Sequence, residues 1–123
     1  MDKHGIILFG HGARDPRWAE PFERLAAKLR AARGEPVALA YLELMTPDLP
    51  AAVASQVADG CDAITVVPVF FGQGGHVRKD LPEIVARCQA AHPDVTIACA
   101  TAVGEDDAVL DAVAGYCLRQ VGQ

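Results

Sequence analysis

Apolar residues along this chain gather into four short, nearly unbroken runs. They are Gly5 to Phe9 (GIILF), Pro36 to Leu42 (PVALAYL), Ala63 to Phe71 (AITVVPVFF) and Val95 to Ala100 (VTIACA). A strand with one wet face alternates apolar and polar residues. A run without alternation suits a parallel sheet covered on both faces.

The segments between the runs follow a different period. Trp18, Phe22, Leu25 and Leu29 fall at i, i+4, i+7 and i+11, which predicts an amphipathic helix from Pro16 to Arg33. Asp15 is its predicted N-cap, Pro16 fills the first helical position, and Gly34 stops it. A second helix is predicted from a Thr46 cap through Pro47 to Asp59, with Pro50 still in the first turn and Gly60 as the stop. A third runs from Asp80 to Ala91, with Asp80 and Glu83 at capping-box spacing. The fourth runs from Glu105 to Val121, with acidic residues in its first turn. The pattern is βαβαβαβα. It predicts a single α/β domain over residues 1–123, a three-layer sandwich around a four-stranded parallel sheet. Right-handed crossovers favour strand order 2-1-3-4.

Composition narrows the picture. A chain of 123 residues buries roughly two-thirds of its unfolded surface and needs no disulfide or structural metal to fold. A formal net charge of −5 argues against a general nucleic-acid binder, which needs a positive field. The first apolar run stops at Gly10, too soon for a signal peptide, and no run approaches the ~20 residues of a membrane span. A cytoplasmic protein is expected. Cys61, Cys88, Cys99 and Cys117 form no CxxC pair. They are expected to be reduced and mostly buried, because a zinc or iron–sulfur site wants closer spacing.

Ligands of open parallel sheets bind beyond the carboxyl ends of the strands, where the strand order reverses. In a 2-1-3-4 sheet that point lies between strands 1 and 3. The two loops there read Gly10-His11-Gly12-Ala13-Arg14-Asp15 and Gly72-Gln73-Gly74-Gly75-His76-Val77-Arg78-Lys79. Each carries one histidine beside glycine. One such histidine alone is more often a local hydrogen-bond partner. Two in loops expected to converge point to a shared task. Neutral imidazole binds divalent metals such as cobalt, nickel and zinc, and takes protons near neutral pH. His4 and His92 sit elsewhere and are expected to face solvent or cap.

Glu43 follows strand 2 and is read as a third metal ligand or proton acceptor, or else as an acceptor that orders its loop. Arg14, Arg17, Arg78 and Lys79 cluster in sequence beside the histidines and suit a polyanionic ligand. Gly74 and Gly75 would let a large flat ligand approach the backbone. The chain has no GxxxxGK[ST] loop, no GxGxxG after the first strand and no GxSxG elbow, so P-loop, dinucleotide-binding and α/β-hydrolase chemistry are disfavoured.

LFGHGARDPRW (Leu8 to Trp18), YLELMTPDLPAAV (Tyr41 to Val53) and VVPVFFGQGGHVRKDLPEIV (Val66 to Val85) together resemble the small-type CbiX proteins. These are sirohydrochlorin cobaltochelatases, related to the class II chelatases that include ferrochelatase. The resemblance covers nearly the whole chain. It implies a chelatase-like fold, insertion of a divalent metal into sirohydrochlorin, and a homodimer. It implies that His11 and His76 are the metal-binding and catalytic histidines, with Glu43 near them. Cobalt is the first expectation for the metal substrate, with iron or nickel as alternatives, and no organic cofactor is expected. The ring's eight carboxylates would explain the local cations. The rival reading is a non-catalytic carrier of metal or tetrapyrrole.

Overall fold

The computed structural model describes residues 3–72 and 75–122, and of residues 75, 76 and 78 it describes the backbone alone. Strands β1 (His4–Gly10), β2 (Val37–Tyr41), β3 (Ala63–Pro68) and β4 (Thr96–Cys99) form one parallel sheet in the order β2-β1-β3-β4. That is the order the crossover rule predicts. Ile7 lies opposite Ala38 on one side and Val66 on the other, so β1 is the central rail of the sheet.

Period-two geometry sends alternate residues of β1 into two separate cores. Ile7 and Phe9 are completely buried and join Ile64, Val66 and Ile97 beneath α2 (Leu49–Ala58) and α3 (Gly75–Ala91). Ile6 and Leu8 face the opposite way, with Val37, onto Leu25, Ala26 and Leu29 of α1 (Glu20–Ala32). Two covered faces explain the unbroken apolar runs of the first three strands.

The fourth strand departs from that expectation. Ile97 is buried, but Thr96, Ala98 and Cys99 are exposed. On the other face α1 packs over β2 and β1, and that core extends to Val67 and Val69. The segment that could cover the rest, α4 (Asp107–Gln120), has no buried residue and lies chiefly against the short turn Val103–Glu105. Cys117 on α4 and Cys99 are consequently exposed, whereas Cys61 and Cys88 are buried as expected.

Several boundaries differ from the sequence reading, each for a local reason. The first helical segment opens as a 3-10 turn, Pro16–Ala19, with Asp15 accepting from the Arg17 N–H before α1 begins. The cap of α2 is Asp48, not Thr46. The Pro47 carbonyl is committed to the Tyr41 N–H at 2.9 Å, so the helix can start only beyond it, with Pro50 in its first turn. Asp80 and Glu83 form no capping box, because α3 begins at Gly75. Val77 and Leu81 are both buried, which carries the apolar stripe one full turn earlier than the charged HVRKD segment suggests. Asp106 caps α4 through the Val109 N–H, one residue past the predicted start. Among the described residues no helix is long and apolar enough to cross a membrane.

Phe9 sits at the centre of the larger core. Phe9→Ala should lower unfolding free energy by about 3–5 kcal/mol, the usual cost of emptying an aromatic site. Urea titration should show a lower midpoint with an unchanged slope.

Candidate functional site

The loop after β1 is stitched to both neighbouring strands. The Leu42 N–H donates to the Gly10 carbonyl at 2.9 Å, and the Glu43 N–H donates to the His11 carbonyl at 3.1 Å. On the other side the Val69 N–H donates to the Phe9 carbonyl at 2.8 Å. The sheet ladder therefore runs on past the strand ends, and it fixes the backbone at His11.

Gly12 makes that closeness possible. Its φ is +92°, and a Cβ there would fall 1.8 Å from the Glu43 carbonyl oxygen. Any side chain would push the first loop off the second. The loops after β1 and β2 thus meet through their backbones, with glycine required by both sterics and torsion.

His11 is half-buried, and its ring lies 5.4 Å from the Phe70 ring at a tilt of 58°. The apolar run Ala63 to Phe71 predicts strand at Phe70. Strand β3 instead ends at Pro68, and after Val69 the chain turns away, with the Phe70 carbonyl accepting from Gly104 N–H at 3.2 Å. The turn is what lays Phe70 against the imidazole. The only sequence signal for this is the position of Phe70 two residues beyond a proline in the third strand.

Other predicted residues are placed as follows. Glu43 is exposed at the carboxyl end of β2. Arg14 is exposed beside His11. Arg17 is exposed and pairs with Asp15 at 2.8 Å. The Arg17 side chain first, and its backbone N–H second, hold the Asp15 carboxyl below the usual carboxylate range. Lys79 is exposed on α3. Gly75 is the first residue of that helix and His76 the second, so the segment expected as one long loop is helical from Gly75 onward. Gly74 lies outside the described residues, as do the side chains of His76 and Arg78. Three residue steps separate Gly72 from Gly75, so α3 begins within about 11 Å of Gly72. His4 lies at the far end of β1, its Nε2 2.7 Å from Thr65 Oγ1. Among the described residues no three His, Cys, Asp or Glu side chains gather as a metal cage.

A cleft of about 570 Å³ opens at the amino ends of the strands, remote from His11. Its cations are engaged by the fold. Arg30 donates to the Val37 carbonyl, Arg33 to the His4 carbonyl and Glu35, and Lys3 to the Asp59 carbonyl. Arg33 Nη1 and Gln56 Oε1, both buried on its lining, have no hydrogen-bond partner among the described residues.

The CbiX family model matches residues 5–116. This chain belongs to the CbiX family. The sirohydrochlorin cobaltochelatase of Methanothermobacter thermautotrophicus is 35% identical over 83 residues, which are 68% of this chain and 58% of that protein. The sirohydrochlorin ferrochelatase of Bacillus subtilis is 29% identical over 112 residues, 90% of this chain but 43% of its own length. The chain thus spans about half the length of these two curated relatives. The crystal structure of a CbiX protein from Marinobacter aquaeolei VT8 superposes with a TM-score of 0.85 at 36% identity, covering 96% of this chain and 97% of that one. The four-stranded α/β architecture is therefore that of the CbiX fold.

Gly12→Ala offers a direct check on the loop contact. It should shift the amide signals of His11 and Glu43 and lower the unfolding temperature by several degrees, since a positive φ and a backbone clash act together. Ala at the open, ordinary Gly72 should do neither.

Proposed function

We propose that this chain is a sirohydrochlorin chelatase, with cobalt as the preferred metal substrate and iron as the alternative. The observation that carries the reading is His11, fixed by backbone bonds where three strand ends meet, in a chain of the CbiX family. The family relatives include both a cobaltochelatase and a ferrochelatase, which supports the class of reaction and leaves the metal to the assay.

In this reading His11 and His76 present neutral imidazole nitrogens to the divalent metal. The macrocycle lies over the carboxyl edge of the sheet, its carboxylates toward Arg14, Arg17, Arg78 and Lys79, with Gly74 and Gly75 allowing close approach. Insertion exchanges one divalent cation for two pyrrole N–H protons, so the site must accept two protons as the metal–nitrogen bonds form. Glu43 and the histidine released from the metal are the acceptors within reach of this edge. The electrostatics favour the exchange: carboxylates of the substrate are drawn by the cations, while neutral imidazole lets the metal leave.

The partner we propose is a second copy of the chain. The feature that supports it is α4, which carries several large apolar side chains yet has no buried residue. Leu110, Val113, Tyr116 and Leu118 are 41%, 39%, 56% and 52% exposed. A helix of that character is normally covered, and the open β3–β4 face offers the matching surface.

Two measurements test this. Under sub-stoichiometric protein, sirohydrochlorin and Co²⁺ should be converted over many turnovers, followed by absorbance. His11→Ala and His76→Ala should each slow insertion at least a hundredfold with little change in unfolding temperature. Stoichiometric binding without turnover in the wild type would favour the carrier, and unchanged rates in either variant would remove that histidine. Separately, sedimentation equilibrium should give a dimer at micromolar concentration and a monomer for Tyr116→Asp. A wild-type monomer would contradict the pairing.

A further inference from the structure

Two large apolar side chains stand in solvent at the carboxyl edge, and the fold holds them there. Leu44 is 60% exposed and Phe71 is 62% exposed. Each is one residue beyond a direct partner of His11. Leu44 follows Glu43, whose N–H bonds the His11 carbonyl, and Phe71 follows Phe70, whose ring lies on the imidazole. Because β1 lies between β2 and β3, the two side chains belong to loops on opposite sides of His11.

Neither exposure is the accident of a slack loop. Leu44 has a φ of +66°, a left-handed conformation that a leucine adopts only at a steric cost. The chain keeps leucine where glycine or asparagine would sit more easily. The Phe71 backbone is clamped by the turn at Val103–Glu105: a Cβ on Gly104 would come 2.2 Å from the Phe71 Cα, and Gly104 N–H bonds the Phe70 carbonyl. Strain on one side of His11 and a backbone clamp on the other both serve to present apolar surface outward.

We propose that Leu44 and Phe71 are the residues that position the macrocycle, meeting its flat conjugated face on either side of His11. This rests on the chelatase reading above. A polycarboxylate ring has charge at its rim and apolar surface at its middle. Arg14 and Lys79, both exposed, suit the rim. Cations alone would let the ring slide and tilt, because long charged side chains follow their partners. Two apolar contacts flanking the metal-binding imidazole fix the ring plane above it without touching the nitrogens that react. Leu44 and Phe71 are therefore positioning residues, and their loss should appear in macrocycle binding and not in metal binding.

The test uses full-length protein with metal-free sirohydrochlorin, titrated by absorbance, and Co²⁺ titrated separately. Leu44→Gly should unfold close to the wild-type temperature, since glycine meets no steric cost at this φ. Its macrocycle Kd should nevertheless rise about tenfold, the effect of losing one buried leucine side chain from a contact. Phe71→Ala should raise Kd by a similar or larger factor, and Phe71→Tyr should restore it. Co²⁺ affinity should be unchanged in all three. In steady-state insertion the macrocycle KM should rise more than kcat falls. If the wild type binds the ring and both truncations bind it equally well, the positioning role is overturned while the chelatase reading stands. If the truncations instead dissociate a dimer and leave ring binding per site intact, these side chains serve the partner, and the proposal is equally overturned. A wild type that binds no macrocycle at all overturns both.

Discussion

The constraint on which the rest depends is the parallel pairing of β1 between β2 and β3. Parallel strands end on the same side, so three loops distant in sequence must leave the sheet within two strand spacings, about 10 Å. The pairing then continues past the strand ends through Leu42, Glu43 and Val69. His11 is held by this continued ladder, and among the described residues its side chain makes no hydrogen bond. The chemistry of the edge is thus delivered by backbone geometry, and a side chain on Gly12 would be enough to prise the loops apart.

The same sheet leaves a second mark at its other margin. β1 supplies both cores and is buried from Ile7 to Gly10, while β4 is covered on one face only. The order 2-1-3-4 places α1 over β2 and β1, and it sends α2 and α3 to the opposite face. Among the described residues α4 is what remains to cover the rest of the α1 side, and it has no buried residue. Uncovered sheet and unburied helix are two parts of one unmet requirement, the burial of apolar surface. A second copy of the chain would meet that requirement.

Much of this was legible in the sequence, and the reasons are physical. Unbroken apolar runs are written by burial on both faces, so the strands, their parallel arrangement and the order could be read directly. His11 was found because a topological rule says where to look. What escaped depends on contacts between distant segments. Thr46 is as good a cap as Asp48 until the Pro47 carbonyl is seen bonding Tyr41. Asp80 and Glu83 have the spacing of a cap until Val77 proves buried. The left-handed Leu44 and the turn that lays Phe70 on His11 have no local signature, because their neighbours across the sheet impose them. The exposure of Cys99 was missed for the same cause as that of α4, since an apolar run reads as covered whether or not its cover is present.

The central claim is that the edge of this sheet gathers two imidazoles around one metal substrate. X-ray absorption on the protein loaded with one equivalent of Co²⁺ tests it most directly. The account predicts two imidazole scatterers at about 2.1 Å, with His11→Ala and His76→Ala each leaving one. A spectrum with oxygen ligands alone, or one unaltered by both substitutions, would contradict it.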